Sequence, residues 1–183
     1  QLTGDADYDQ VDVAGEVNLN YSTLELAVGY SPNIGQQFTI INNDGSDPVQ
    51  GTLGYAEGSL ILVGTDAFRI SYIGGTGNDV TLTRIAVDIW SGGAGAGDTN
   101  WSTAANWFGD VAPTAGDFLV FPDMTTQTIA TNDYTSGMGL GGIMVSGNAY
   151  VLAGNSLVLH GALVNSGANN NFDLPIALDD SLS

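Results

Sequence analysis

The sequence predicts an all-β protein: a β-solenoid preceded by a β-sandwich-like or solenoid-terminating unit, with many short strands and little or no helix. Three observations carry this. Short apolar–polar alternations recur along the 183 residues, most of them ended by Gly or Asn. Glycine is abundant at 26 residues, and lysine, a good helix former, is absent. No segment holds a 3.6-residue apolar period over ten or more residues.

The elements follow in order. Gln1 to Asp9 is an acidic entry. From Val11 to Leu19, Val11, Val13, Val17 and Leu19 share one face of an expected strand, and Gly15 marks a bulge or close backbone approach on it. Tyr21 to Tyr30 repeats the pattern through Leu24, Leu26 and Val28. SPNIGQ and NDGSDP are turns flanking the strand QFTIINN, and GTLGYAEGSLILVG holds two short strands split at Glu57–Gly58. Next comes AFRISYIGGTGNDVTLT. Phe68, Ile70 and Tyr72 form one apolar face, Val80 and Leu82 the other, and Gly74, Gly75, Gly77 and Asn78 supply a tight hairpin turn. About seven strands are expected in this first unit, residues 1–86.

The composition then shifts. Residues 87–183 read as a Trp-rich cap and the start of a β-solenoid. Trp90, Trp101 and Trp107 fall among Gly, Ala, Thr and Asn, as indoles do when they close an open core. DFLVF, TIATN, GGIMVSG, AYVLAG, SLVLHGALVNSG and PIAL follow as short strands on a coil-by-coil rhythm, each coil burying its apolar face against its neighbours.

Composition excludes several functions. Twenty acidic residues face two arginines, Arg69 and Arg84, for a net charge of −18 at pH 7. No basic patch for nucleic acid or an anionic membrane surface can be assembled from two cations. With no cysteine, disulfides, thiolate metal sites and cysteine nucleophiles are ruled out. No apolar run reaches the roughly 20 residues of a membrane-spanning helix. No leader peptide is visible, and the chain reads as a mature segment or fragment of something longer.

The motif order has a family likeness. Tyr8–Asp9–Gln10, Val13-x-Gly15-x-Val17-x-Leu19, Gly35–Gln36–Gln37–Phe38, Gly51–Thr52–Leu53, Glu57–Gly58 and ISYIGGTGNDVTLT resemble the end of a repeat unit in giant bacterial surface proteins of the planctomycete type, which carry autotransporter-associated β-strand repeats. Trp90–Ser91–Gly92–Gly93, Trp101–Ser102–Thr103, Asn106–Trp107, Pro113, Gly116–Asp117, Phe121, Asn132–Asp133 and Gly154–Asn155 resemble the start of the next unit. The long run of glycine-rich repeats between such a start and such an end is missing. The resemblance implies a right-handed β-helical, secreted or surface-anchored, non-enzymatic scaffold. PIALDDSLS followed by QLTGDADYDQ would read as one continuous coil, so end-to-end stacking of copies, or of adjacent repeat units, is expected.

Several motifs offer ligand chemistry. GGTGNDVTL fits the calcium nonapeptide G-G-x-G-x-D-x-U-x with Asp79 as ligand, but calcium solenoids need tandem copies and a hairpin turn explains one. Asp5, Asp7, Asp9 and Glu16 occupy positions 1, 3, 5 and 12 of a calcium-loop pattern, with Gln10 where glycine is required. No cofactor is expected, with calcium the one candidate ion. Gly137, Gly139 and Gly142 spell G-x-G-x-x-G without the βαβ setting that gives the motif meaning. His160 is the single histidine and stands in a β-run, with no G-x-S-x-G nucleophile elbow anywhere. Aspartates such as Asp44, Asp47, Asp98, Asp110, Asp123, Asp133, Asp179 and Asp180 sit at expected turns, which accounts for them without glycosidase chemistry. No catalytic residue is expected. Trp101 and Trp107, if exposed, would stack on surface glycans, making a carbohydrate-binding module the alternative to a structural adhesin or filament segment. Asn20 and Asn100 fit the N-x-S/T sequon.

Overall fold

A computed structural model of the chain describes residues 1–123, 125 and 127–179. The class is all-β, and the helix among the described residues is a single 3-10 turn, Ala104–Asn106. The chain divides into two compact units, Gln1–Ala86 and Val87–Ser183.

In the first unit β1 (Val11–Val13), β2 (Gln37–Asn43), β3 (Leu60–Val63), β4 (Asp66–Gly74) and β5 (Asp79–Ile85) form one mixed sheet in the order β1-β2-β5-β4-β3. β1 runs parallel to β2, and all other pairs are antiparallel. Alternation decides what each strand buries. Phe68, Ile70 and Tyr72 of β4 and Val80 and Leu82 of β5 enter the core with Phe38, while Arg69 and Ile73 face solvent. The β4–β5 turn is the expected glycine hairpin, with Gly74 opposite Asp79 and Gly77 N–H donating to the Gly74 carbonyl at 2.7 Å. Ahead of the sheet, residues 1–24 lie parallel to residues 27–53. Leu2 bridges Val28, Asn18 bridges Gln50, and Leu24 N–H donates to Leu53 at 3.1 Å.

Several expectations are corrected here, and GTLGYAEGSLILVG holds one strand, β3, rather than two. Val11–Leu19 is a strand only to Val13, and Tyr21–Tyr30 is not a strand. Gly15 and Tyr21 hold positive φ (106° and 68°), breaking the extended run on both sides of Val17–Leu19. Leu24, Leu26 and Val28 are half-buried but have no continuous ladder partner. A second sheet facing the first, as a sandwich requires, is not present among the described residues of this unit.

In the second unit β6 (Asp88–Ile89) precedes nine strands: β7 (Phe118–Phe121), β8 (Ile129–Asn132), β9 (Met138–Leu140), β10 (Gly142–Val145), β11 (Val151–Gly154), β12 (Leu157–Leu159), β13 (Leu163–Asn165), β14 (Asn171–Phe172) and β15 (Ile176–Leu178). They form three parallel sheets ordered β13-β10-β7-β6, β14-β11-β8 and β15-β12-β9. The chain therefore visits the three sheets in the same order three times. From the second circuit to the third the register advances 19 or 20 residues: Ile143 to Leu163, Val151 to Asn171, Leu157 to Ile176.

In-register parallel pairing stacks like positions in columns. Leu119 lies over Ile143, and Leu140 over Leu159, in one apolar core with Phe121, Val145 and Leu152. Between strands the circuits approach so closely that a side chain does not fit. A Cβ on Gly147 would stand 2.6 Å from the Pro122 carbonyl, and one on Gly167 would run into the Gly147 carbonyl a circuit earlier. Asparagines bind these turns together: Asn148 Oδ1 accepts from Ala168 N–H at 2.7 Å, and Asn170 Oδ1 from Tyr150 N–H at 2.8 Å.

Candidate functional site

The tryptophans seal the near end of this stack. Trp90 and Trp107 meet edge to face at 5.2 Å, Trp101 and Trp107 at 6.4 Å, and all three indoles surround Phe121. Such ring pairs are each worth about 0.5–1.5 kcal/mol beyond burial. Trp90 Nε1 donates to the Gln127 carbonyl at 2.8 Å and Trp107 Nε1 to the Trp101 carbonyl at 2.7 Å. Around them the first circuit's outer edge is covered strand by strand. β6 pairs with β7, Trp101 N–H donates to Thr131 of β8 at 2.9 Å, and Gly116 N–H donates to Gly139 of β9 at 2.9 Å. Trp101 and Trp107 are 0% and 1% exposed, so the exposed rings that the glycan alternative requires are not found. A seal over an open apolar core buries both faces of each ring, and none is left to stack on a sugar.

The far end differs. β13, β14 and β15 are each the last strand of their sheet among the described residues. Leu119 and Ile143 are 0% exposed, but Leu163 in the same column is 38% exposed. Leu140 and Leu159 are 0% and 1% exposed, against 64% for Leu178. Positions that form core in the first two circuits therefore become surface in the third.

The aspartates singled out for calcium do not come together. Asp5, Asp7, Asp9 and Glu16 are exposed, and no group of three or more His, Cys, Asp or Glu able to hold a metal occurs among the described residues. Asp5 accepts from Gln36 Nε2 at 3.1 Å, and Gln10, at the position where a calcium loop needs glycine, donates from Nε2 to the Thr39 carbonyl at 2.9 Å. Asp79 is buried and occupied. Its Oδ2 accepts from Thr76 N–H at 2.9 Å and Thr76 Oγ1 at 3.3 Å, and its Oδ1 from Asn43 N–H at 2.8 Å. Those bonds, the Thr76 amide first, hold its carboxyl below the usual carboxylate range against the opposing effect of burial. The nonapeptide is thus a hairpin whose carboxylate ties its own turn to β2.

His160 Nδ1 lies 2.8 Å from Asp179 Oδ2, and its Nε2 faces the space above Gly139. Gly142 opens β10 rather than a helix, so Gly137, Gly139 and Gly142 cradle no phosphate. Asn20 is exposed, whereas Asn100 is partly buried in the bridge to Thr131. Asp180, and with it the end of PIALDDSLS, lies outside the described residues.

One acid pair was not legible in the sequence. Asp88 of β6 stands opposite Leu119, two residues beyond Asp117, and its carboxyl is hydrogen-bonded to that of Asp117. Burial first, and then the neighbouring Asp117 charge and hydrogen bond, push Asp88 up to about 6. Asp117 Oδ2 accepts from Thr114 N–H at 2.6 Å and Thr114 Oγ1 at 2.9 Å. Thr114, which donates to Asp117, lines an open groove of about 400 Å³ between Pro113–Ala115 and Tyr134–Met138, where Tyr134 Oη donates to the Pro113 carbonyl at 2.7 Å. Asp88, when protonated, can donate to Asp117 between two segments of the seal. No sequence signal marks the pair, because 29 residues separate partners joined only by strand pairing.

Comparison with protein-family models, curated proteins and solved structures finds no match to this chain.

Proposed function

We propose that this chain is a structural segment of an extracellular or cell-surface adhesin or filament, and that its second unit is a β-solenoid. The observation that carries the reading is the repeated in-register circuit, in which apolar columns, close glycine contacts and asparagine turns all serve the stacking of one coil on the next. The first unit completes the reading as a solenoid terminator: a parallel layer, residues 1–24, leads into a sheet that turns antiparallel. Chemistry on the surface is spare. Asp79 and Asp98 bind their own turns, Asp44, Asp123 and Asp133 tie distant segments together, and the histidine pairs with an aspartate. The acidic surface with only two arginines suits exposure to trypsin-like proteases. The resemblance to repeat-bearing giant surface proteins agrees with this role and enters as part of the proposal.

Antibodies raised against the folded chain test it. They should label intact cells of the source organism, and external protease should remove the label. Labelling only after lysis would overturn the surface role.

A further inference from the structure

Two asparagines fasten the chain where it leaves β2. Asn43, the last residue of that strand, is 2% exposed and donates from Nδ2 to the Asp47 carbonyl at 2.9 Å. Asn78, in the β4–β5 turn, is also buried and donates from Nδ2 to the same carbonyl at 3.2 Å and to the Asp44 carbonyl at 3.3 Å. The two side-chain oxygens differ. Asn78 Oδ1 accepts from Thr76 Oγ1 at 2.9 Å. Asn43 Oδ1 is buried with no hydrogen-bond partner among the described residues, and Asp47 Oδ2 is in the same condition. Because Asn43 Nδ2 is held on the Asp47 carbonyl, the free oxygen of the same planar group opens on the Asp47 segment. An unmet buried acceptor costs about 1–3 kcal/mol, and more where it carries charge.

An amide oxygen and a carboxylate oxygen are both acceptors, so what satisfies them is a donor or a cation. Several features favour a cation. The arginines of this unit lie elsewhere: Arg84 pairs with Asp66 at 2.8 Å, and Arg69 stands opposite Thr83 rather than at the Gly74–Asp79 end of the hairpin. The surroundings are acidic, with Asp44 in the same loop and Asp79 Oδ1 accepting from Asn43 N–H at 2.8 Å. A water would meet the hydrogen-bonding need of the two oxygens but not the charge. We propose that Asn43 Oδ1 and Asp47 Oδ2 are ligands of a calcium ion, with water completing a shell of about six to eight oxygens. Amide and carboxylate oxygens in an irregular loop suit calcium, whereas magnesium demands near-ideal octahedral geometry and gives up its water reluctantly. Asp79 is no ligand here; it fixes the Asn43 backbone and adds negative charge. Thr81 Oγ1 is likewise unpartnered, but it lies against Gly74 and is not assigned to the ion. The site lies outside both the GGTGNDVTL nonapeptide and Asp5–Glu16, and it does not depend on a group of three acids, which the described residues lack. With a single carboxylate it belongs at the weak end of calcium sites, at a Kd of about 0.1–1 mM.

Isothermal titration calorimetry of the chelator-treated 183-residue chain with CaCl2 tests this, in about 0.15 M NaCl to screen diffuse attraction to the net charge of −18. Wild type should bind one ion in that affinity range. D47N, close to isosteric, should weaken binding at least about tenfold. D5N/D9N removes two exposed acids from the chain's entry and should leave binding unchanged. Unchanged circular dichroism spectra confirm the folds. Calcium should also slow amide hydrogen exchange at residues 44–47 in wild type and not in D47N. Absence of saturable binding by wild type overturns the proposal, as does a D47N variant that binds like wild type. Binding that D5N/D9N weakens as much as D47N also overturns it, since that is the behaviour of diffuse attraction to an acidic surface. None of these outcomes bears on surface labelling, which tests the scaffold role separately.

Discussion

The first unit closes its core with antiparallel hairpins, β4 and β5 locked by a turn whose aspartate reaches back to β2. The second closes its core with a plug of indoles over parallel strands. In the first, neighbours along the chain pair with each other and backbone bonds seal the end. In the second, successive strands belong to different sheets, nothing local can seal the first strands of those sheets, and bulky side chains do so instead. Local pairing spares the chain a large apolar cap, whereas stacking requires one.

Removing each seal tests that contrast. Trp107→Ala should have the largest effect, about 3–5 kcal/mol, since it leaves a cavity beneath Trp90 and Trp101. Hydrogen exchange should report the loss at β7–β9 while the β4–β5 amides keep their protection. Asp79→Ala should cost about 2–3 kcal/mol by leaving the Asn43 and Thr76 amides without their acceptor, and denaturant titration should place that loss in the first unit.

Acidity should move the two units in opposite directions. Asp88 is pushed up to about 6, above its ordinary value of 3.8, so folding favours its neutral form. Its penalty is present above about pH 6 and disappears as pH falls toward 4, stabilising the second unit over that window. Asp79 is held below 3.8, so its contribution is full above that value and is lost as pH falls further. Thermal melts between pH 7 and 3 should show the second unit gaining first and the first unit losing later. Asp88→Asn should flatten the first change and leave the second.

The smallest effect is expected at Ala149. It holds a left-handed backbone (φ 59°), and Asn169, twenty residues on, holds the same angle at the same turn. Asparagine tolerates that region better than alanine, so Ala149→Asn should stabilise the second unit by up to about 1 kcal/mol in a denaturant titration.

Much of this architecture is written locally. Phe68, Ile70, Tyr72, Val80 and Leu82 alternate, Gly74 and Gly77 break the run, and a hairpin follows from those residues alone. The strand runs after Asp117 are equally legible, because each is short, apolar and ended by a turn former. Leu24, Leu26 and Val28 misled, since alternation marks a face and does not supply a partner. Asp79 within the glycine turn is visible in the sequence as a carboxylate, but its partners, the Asn43 and Thr76 amides and the Thr76 hydroxyl, are set by the fold.

By itself, then, the sequence determined the all-β class, the turns and which residues seek the core, because these depend on side-chain period and backbone freedom within a few residues. Tertiary structure decided the rest: parallel or antiparallel pairing, the burial of Trp101 and Trp107, the meeting of Asp88 with Asp117, and the surface position of Leu163 and Leu178. A period of two is the same whichever neighbour a strand takes. Only the pairing of successive strands within each sheet fixes whether a leucine has another strand above it.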